Sequence, residues 1–276
     1  MPALLIGRRI ARSRWTLAGL AVVAVLALAA LAAPLAAPGD PYHGQLAAAL
    51  RAPSRAYLLG TDAQGRDLLS RLLFGARLSL AVGLASQTIA VVAGLALGLA
   101  AGFYGRWVDA LVMRAADVTL AFPSLLLLIA IAAAVKPSLG VVCVVIGAVG
   151  WAGMARLVRA QVLVVRGLEY VQAARALGAS DVRLAARHVL PNVVGPVIVA
   201  ATLGVGGAIM AEAALSFVGL GAQPPTPSWG AMVADGRDLL RVAPWVSLAP
   251  GLAIGLTVLA VNLVGDGLRD ALDVRA

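Results

Sequence analysis

The chain has 276 residues, 61% of them hydrophobic and only 13% charged, with a mean hydropathy of +0.94. That balance excludes an ordinary soluble enzyme and makes lipid the expected solvent. The net charge of +9 does not argue for nucleic acid, because the 21 Arg and the single Lys lie mostly beside apolar runs with few aromatics among them. Charge placed that way orients spanning helices.

A helix needs about 20 mostly apolar residues to cross a bilayer, since each backbone amide must find its partner within the segment. Six stretches qualify: Leu17 to Ala36, Ser79 to Phe103, Leu120 to Val135, Leu139 to Ala155, Val193 to Phe217 and Val246 to Val264. The expected fold is therefore all-α and polytopic, one membrane domain over residues 17–275 with a core at about 77–270, preceded by a short cytoplasmic segment, 1–16. No linker or low-complexity tract divides it, the 30 Gly and 14 Pro being scattered through the spans.

The first span follows Arg8, Arg9, Arg12 and Arg14. An Ala-rich end near Ala33 resembles a signal-peptide cleavage site, but the run exceeds the roughly 7 to 15 residues of a signal core, which favours an uncleaved anchor. With the amino terminus in the cytoplasm, 14 of the 22 basic residues fall in cytoplasmic segments, six of them in the loop from Arg156 to Arg187. The first external loop fits this orientation poorly, since it holds Arg51, Arg55, Arg66, Arg71 and Arg77, although Asp40, Asp62 and Asp67 share it.

In the second span Gly94, Gly98 and Gly102 recur every four residues and strip one helix face of side chains, which suits close helix packing. Only Lys136, Pro137 and Ser138 separate the third and fourth spans. Cys143 sits inside an apolar run as a lone small hydrophobe.

Between the fourth and fifth spans, Glu169 to Asn192 is too polar to span and too patterned for a slack loop. Tyr170 to Leu177 is built of helix formers, and Gly178 suits the left-handed stop after them. Ser180 or Asp181 can cap a second short helix, and Pro191 is expected to end it near the membrane. The residues alone allow two readings of this hairpin: an element resting on anionic lipid through Arg175, Arg183 and Arg187, or a docking lever.

The fifth span carries Glu212 and the sixth Asn262. An ionised carboxylate at such a depth costs roughly 2.5 to 3.5 kcal/mol, so Glu212 is expected to face protein or water, either lining a solute path or bonding across a helix interface. The rigid loop from Pro224 to Trp229 is external in this topology, where it either meets a solute-binding protein or braces a re-entrant turn. His43 and His188 fall on opposite sides and build no metal site. No Gly-x-x-x-x-Gly-Lys-Ser/Thr phosphate loop is present.

The spacing Ala173–Ala174, three residues, Gly178, nine residues, then His188 to Pro191 resembles the signature loop of ATP-binding-cassette importer permeases. Leu59 to Asp67 (LGTDAQGRD), Ser70–Arg71, Gly75 to Ser79 and Met113 to Asp117 are similar to the dipeptide, oligopeptide and nickel permeases. So are Glu212 to Gly221 (EAALSFVGLG), Pro225 to Gly230, Pro244–Trp245, Pro250–Gly251 and Asn262 to Asp270. The pattern covers Leu59 to Asp273 and is that of the second of two homologous permease subunits. Gln172 stands where the family usually has Glu, and His188 where it has Ile, so an ion pair from position 172 is in doubt.

The resemblance implies a multi-pass plasma (inner) membrane subunit with both termini cytoplasmic, itself no enzyme and without cofactor. Its implied partners are a homologous permease, two ATP-binding subunits and an extracytoplasmic solute-binding protein. Tyr170, Gln172, Ala173, Ala174, Leu177, Gly178, Leu190 and Pro191 would form the ATPase-coupling loop, with Glu212 and Asn262 as pathway candidates. The expected cargo is a short peptide, then a nickel complex. A stand-alone ion-coupled carrier is the rival from another class, weakened by a single buried acid and no visible inverted repeat.

Overall fold

The computed structural model describes residues 13–136 and 138–272. Arg8, Arg9, Arg12, most of the 1–16 segment, Pro137 and the last residues of the 17–275 domain lie outside them.

Helix α1 (Arg14–Ala36) starts at Ser13, whose Oγ accepts from the Thr16 amide. Asp67 likewise caps α2 (Leu68–Tyr104), accepting from the amide and hydroxyl of Ser70 at 2.7 and 2.6 Å. At 37 residues α2 is about 55 Å long and projects beyond a bilayer core. Arg71 and Arg77, expected in the external loop, are therefore on this helix.

The third span departs from expectation. Leu120 to Val135 does not form one helix: α3 (Arg106–Ala121) ends at Phe122, and α4 (Ser124–Ala133) leaves at 91°. The physical reason is Pro123, whose ring excludes the α conformation from the residue before it; Phe122 has ψ 141. Helix α5 (Leu139–Arg166) follows, begun by the Ser138 hydroxyl.

The glycine face of α2 packs on α5. A Cβ on Gly94 would stand 2.5 Å from the Met154 Cβ, one on Gly98 2.8 Å from that of Val158, and one on Gly102 2.7 Å from that of Val162. Backbones so close tolerate only glycine, in keeping with the four-residue repeat. The partners climb together, so α2 and α5 run parallel. The chain between them must cross back, and α4 alone, about 15 Å long, cannot span a core of about 30 Å. Helices α3 and α4 thus act as one broken span beside five long apolar helices.

The remaining spans are α8 (Leu190–Phe217) and α10 (Trp245–Leu272), with α6 (Glu169–Ala176) and α7 (Asp181–Leu184) before them and α9 (Trp229–Gly236) between them. Gly19 meets Ala260 and Leu263 while Gly267 meets Thr16, so α1 and α10 are antiparallel. Gly83 meets Ile209 while Gly204 meets Gln87, and Gly206 meets Val258 while Gly265 meets Leu203, so α8 is antiparallel to α2 and α10. Arg14, Tyr104, Arg166, Leu190 and Leu272 consequently share one end of the bundle. At the other end α9 is locked in place by Trp229, which is buried and donates Nε1 to the Leu72 carbonyl at 3.0 Å.

Candidate functional site

The segment after α5 folds back on itself as a hairpin. Gln172 Nε2 donates to the Arg166 carbonyl at 2.7 Å and so closes the exposed end of α5. Helix α6 then stops in a Schellman arrangement: the Ala179 amide bonds the Ala174 carbonyl at 3.1 Å and the Gly178 amide bonds Arg175 at 2.9 Å. Gly178 has φ +82, and a Cβ there would meet no atom within 4 Å, so backbone conformation, not space, demands glycine.

The second leg corrects the expectation for Pro191. It does not end the short helix. From α7 the chain passes through a π turn, Ala185–Val189, where the Leu190 amide reaches back five residues to Ala185, and continues into α8 with Pro191 in its first turn. Inside this continuous helix a proline returns no amide to the turn before it, and the π turn widens the ladder just ahead of the ring, which accommodates the missing bond.

One face of the hairpin is buried. Val171, Leu184 and Val189 join Phe103, Val162, Val165 and Val193 in one apolar cluster, which Ala174 abuts. The Arg175 guanidinium lies 5.6 Å from the Phe103 ring, a cation–π contact back to α2. The legs are tied by Asn192, whose Nδ2 donates to the Tyr170 hydroxyl at 3.1 Å and to the His188 carbonyl at 2.7 Å. The other face is open: Leu177 is 89% and Val182 76% exposed at the tip, beside exposed Tyr170 and Ala173. Two bare aliphatic side chains on an otherwise capped turn form a ready contact point.

Tyr170, Gln172, Ala173, Ala174, Leu177, Gly178, Leu190 and Pro191 thus lie within this one hairpin and its junction with α8. The other two candidates stand apart. Glu212, 1% exposed, lies about 33 Å along α8 from Leu190, and accepts from Ser79 of α2 at 3.1 Å and from Ser216 at 2.7 Å. Asn262, half-buried, faces the Gly206 surface of α8.

Residues 94–276 match the family described as the binding-protein-dependent transport system inner membrane component. The chain belongs to this family. Residues 3–53 also match the N-terminal transmembrane domain of oligopeptide transport permease C. The permease is 45% identical over 266 residues to the dipeptide transport system permease protein DppC of Alkalihalophilus pseudofirmus, covering 96% of this chain and 88% of that one. It is 48% identical to the di/tripeptide transport system permease protein DppC of Pseudomonas aeruginosa, with 95% and 89% covered. The glutathione transport system permease protein GsiD of Pectobacterium atrosepticum is 47% identical over 221 residues, 80% of this chain and 73% of that one. The fold is similar to that of the MetNI methionine ABC transporter in an inward-facing conformation, with a TM-score of 0.55 and 20% identity over 72% of this chain and 95% of that one. The importer-permease resemblance is met.

The permease also holds polar sites that sequence reasoning misses. Around the start of α2 Arg66 and Arg71 are buried, and Asp62 binds both, at 2.6 Å from Arg66 Nε and 3.4 Å from Arg71 Nε. Asp235 of α9 completes the group at 3.8 and 3.7 Å. Two of the arginines that fit the charge rule poorly are therefore internal, neutralised groups. At the opposite end Arg166 donates to the Gly102 and Phe103 carbonyls at 2.7 and 3.1 Å, closing α2. Asp109 of α3 chelates Arg159, and Asp117 holds Arg156 at 2.6 Å. No local signal marks such pairs, whose members lie 39 and 50 residues apart.

Proposed function

We propose that the permease forms, with a homologous permease, the pathway through which an ATP-driven importer moves short peptides by alternating access. One ATP-binding subunit seats on this hairpin and a second on the homologous permease, and an extracytoplasmic binding protein delivers the solute at the opposite end. The carrying observation is the hairpin itself: a pre-shaped element whose inner face is fixed to α2, α5 and α8 and whose outer face offers Leu177 and Val182. Movement of a motor bound at the tip would reach the spans through those buried contacts. This chain performs no hydrolysis in this reading; both its termini and the hairpin are cytoplasmic, in keeping with helix ends that share one side of the bundle.

Peptides are the cargo favoured by the relatives named for dipeptides, di/tripeptides and glutathione, ahead of a nickel complex. Glu212 and Asn262 belong to the α2–α8 and α8–α10 interfaces, which must re-pack when the pathway switches. A stand-alone carrier would leave the exposed hairpin tip without a purpose.

Gly178→Asp tests the reading. A side chain at φ +82 strains the turn, and a carboxylate enters the docking surface. The variant should insert and accumulate in the membrane yet uncouple uptake from ATP hydrolysis in proteoliposomes holding all subunits. Normal uptake by that variant would sink the lever assignment.

A further inference from the structure

Asp117 and Arg156 form an ion pair in an odd place. Arg156, expected to open a loop, lies instead ten residues before the end of α5, about 15 Å up a helix about 42 Å long, which overhangs a core of about 30 Å by at most about 12 Å, so the pair stands just inside the core's edge or deeper. Both side chains are half-exposed, at 52% for Arg156 and 56% for Asp117. Charges at such depth do not face lipid; they face water or protein.

What they face is indicated by the surface above them. Gly150, Gly153 and Arg156 follow one another down the exposed stripe of α5. The same Gly150 and Gly153 line a cavity of about 430 Å³ between α2, α4, α5 and α8, together with Ser86, Gln87 and Ser124. Ser86 is fully buried, and its hydroxyl is the one buried side-chain polar atom among the described residues without a hydrogen-bond partner. The lining is mixed, with Ser86, Gln87 and Ser124 set among Leu128, Ile146, Val149, Met154 and Leu157, so the free hydroxyl gives a guest a polar contact in a largely apolar space, as a peptide with both kinds of group can use. A Cβ on Gly153 would meet nothing within 4 Å, so the helix face between the cavity and Arg156, one turn further along α5, is bare.

We infer that Asp117 and Arg156 stand on the solute-facing wall and act as a charge checkpoint for a guest bearing both signs, as a peptide with free termini does. This deepens the peptide-import reading and rests on it. Asp117 reaches Arg156 from α3, the first arm of the broken span. A passing ammonium can take Asp117 while the carboxylate takes Arg156, each exchanging one partner for another of the same kind.

The test uses the complete importer in liposomes on a Cys143→Ala background, which removes the only cysteine of this chain. Gly153→Cys and Arg156→Cys should each react with a charged, membrane-impermeant thiosulfonate in the nucleotide-free state and lose that reactivity when vanadate traps the nucleotide-bound state. Reaction only with a lipid-soluble maleimide, or a crosslink from position 153 to the second permease in every state, would overturn the proposal. As a second arm, D117R combined with R156D keeps an ion pair but reverses its direction. Uptake should be lost while ATP hydrolysis persists, whereas full uptake would reduce the pair to a structural contact. Uptake by the unsubstituted complex is measured in parallel, and its absence would instead count against the importer reading itself.

Discussion

The two ends of the bundle are built on opposite plans. At the end formed by residues 37–67 and α9, charge is sealed inside: Asp62, Arg66 and Arg71 are buried, and Trp229 and Trp245 pin the segments to the Leu72 and Thr61 carbonyls. At the hairpin end the turns are closed by short-range bonds, from Gln172 to Arg166 and from Gly178 and Ala179 into α6, while aliphatic side chains point outward. The first end buries an ion cluster that holds its segments together, whereas the hairpin tip closes its backbone and leaves Leu177 and Val182 exposed. Stability should therefore depend on the first end and coupling on the second.

The largest effect that would break this contrast lies in the sealed cluster. Asp62→Ala removes the shared carboxylate of two buried guanidiniums and leaves only Asp235, half-exposed and 3.7 to 3.8 Å away. Removing one partner of a buried ion pair costs about 3 to 5 kcal/mol. A marked fall in thermal midpoint and in the amount of full-length chain in membranes is expected. An unchanged melting curve would mean that this end is not the stabilising one.

At the hairpin tip the converse should hold. Leu177→Ser alters a side chain that is 89% exposed, so melting should stay within about 0.5 kcal/mol of the parent. Docking of the ATP-binding subunits should weaken by about 2 kcal/mol, roughly thirty-fold in Kd, if the leucine fills a pocket on the motor. Titration of the purified ATP-binding subunits against permease in detergent measures this, and equal affinity would remove the tip from the contact.

Much of the contrast is legible in the residues. Five spans, the glycine face of α2 and the stop at Gly178 follow from local rules, because helix formers, caps and small-residue spacing act over a turn or two. The break at Pro123 is also local, but a run of apolar residues summed over Leu120 to Val135 conceals one ring acting on Phe122. Pro191 misleads for a related reason: a proline forbids one amide, and a π turn supplies the geometry that renders the loss harmless. Out of reach are Asp235 for Arg71, Ser79 for Glu212 and Asp117 for Arg156, which come from helices far along the chain and depend on how the spans are packed.

The smallest effect sharpens the contrast most, because it separates backbone closure from docking at a single position. Gln172 donates Nε2 to the Arg166 carbonyl, and a carboxylate cannot donate. Gln172→Glu should therefore lose about 1 kcal/mol where α5 meets α6. Faster amide hydrogen exchange at residues 166–172 would register that loss, with little change in global melting. The same substitution places a negative charge beside the tip and can gain an ion pair with a basic residue of a docked motor. Looser exchange together with tighter docking would show that the glutamine trades partner affinity for a rigid hairpin, whereas a change in both toward weakness would make position 172 purely a closure of α5.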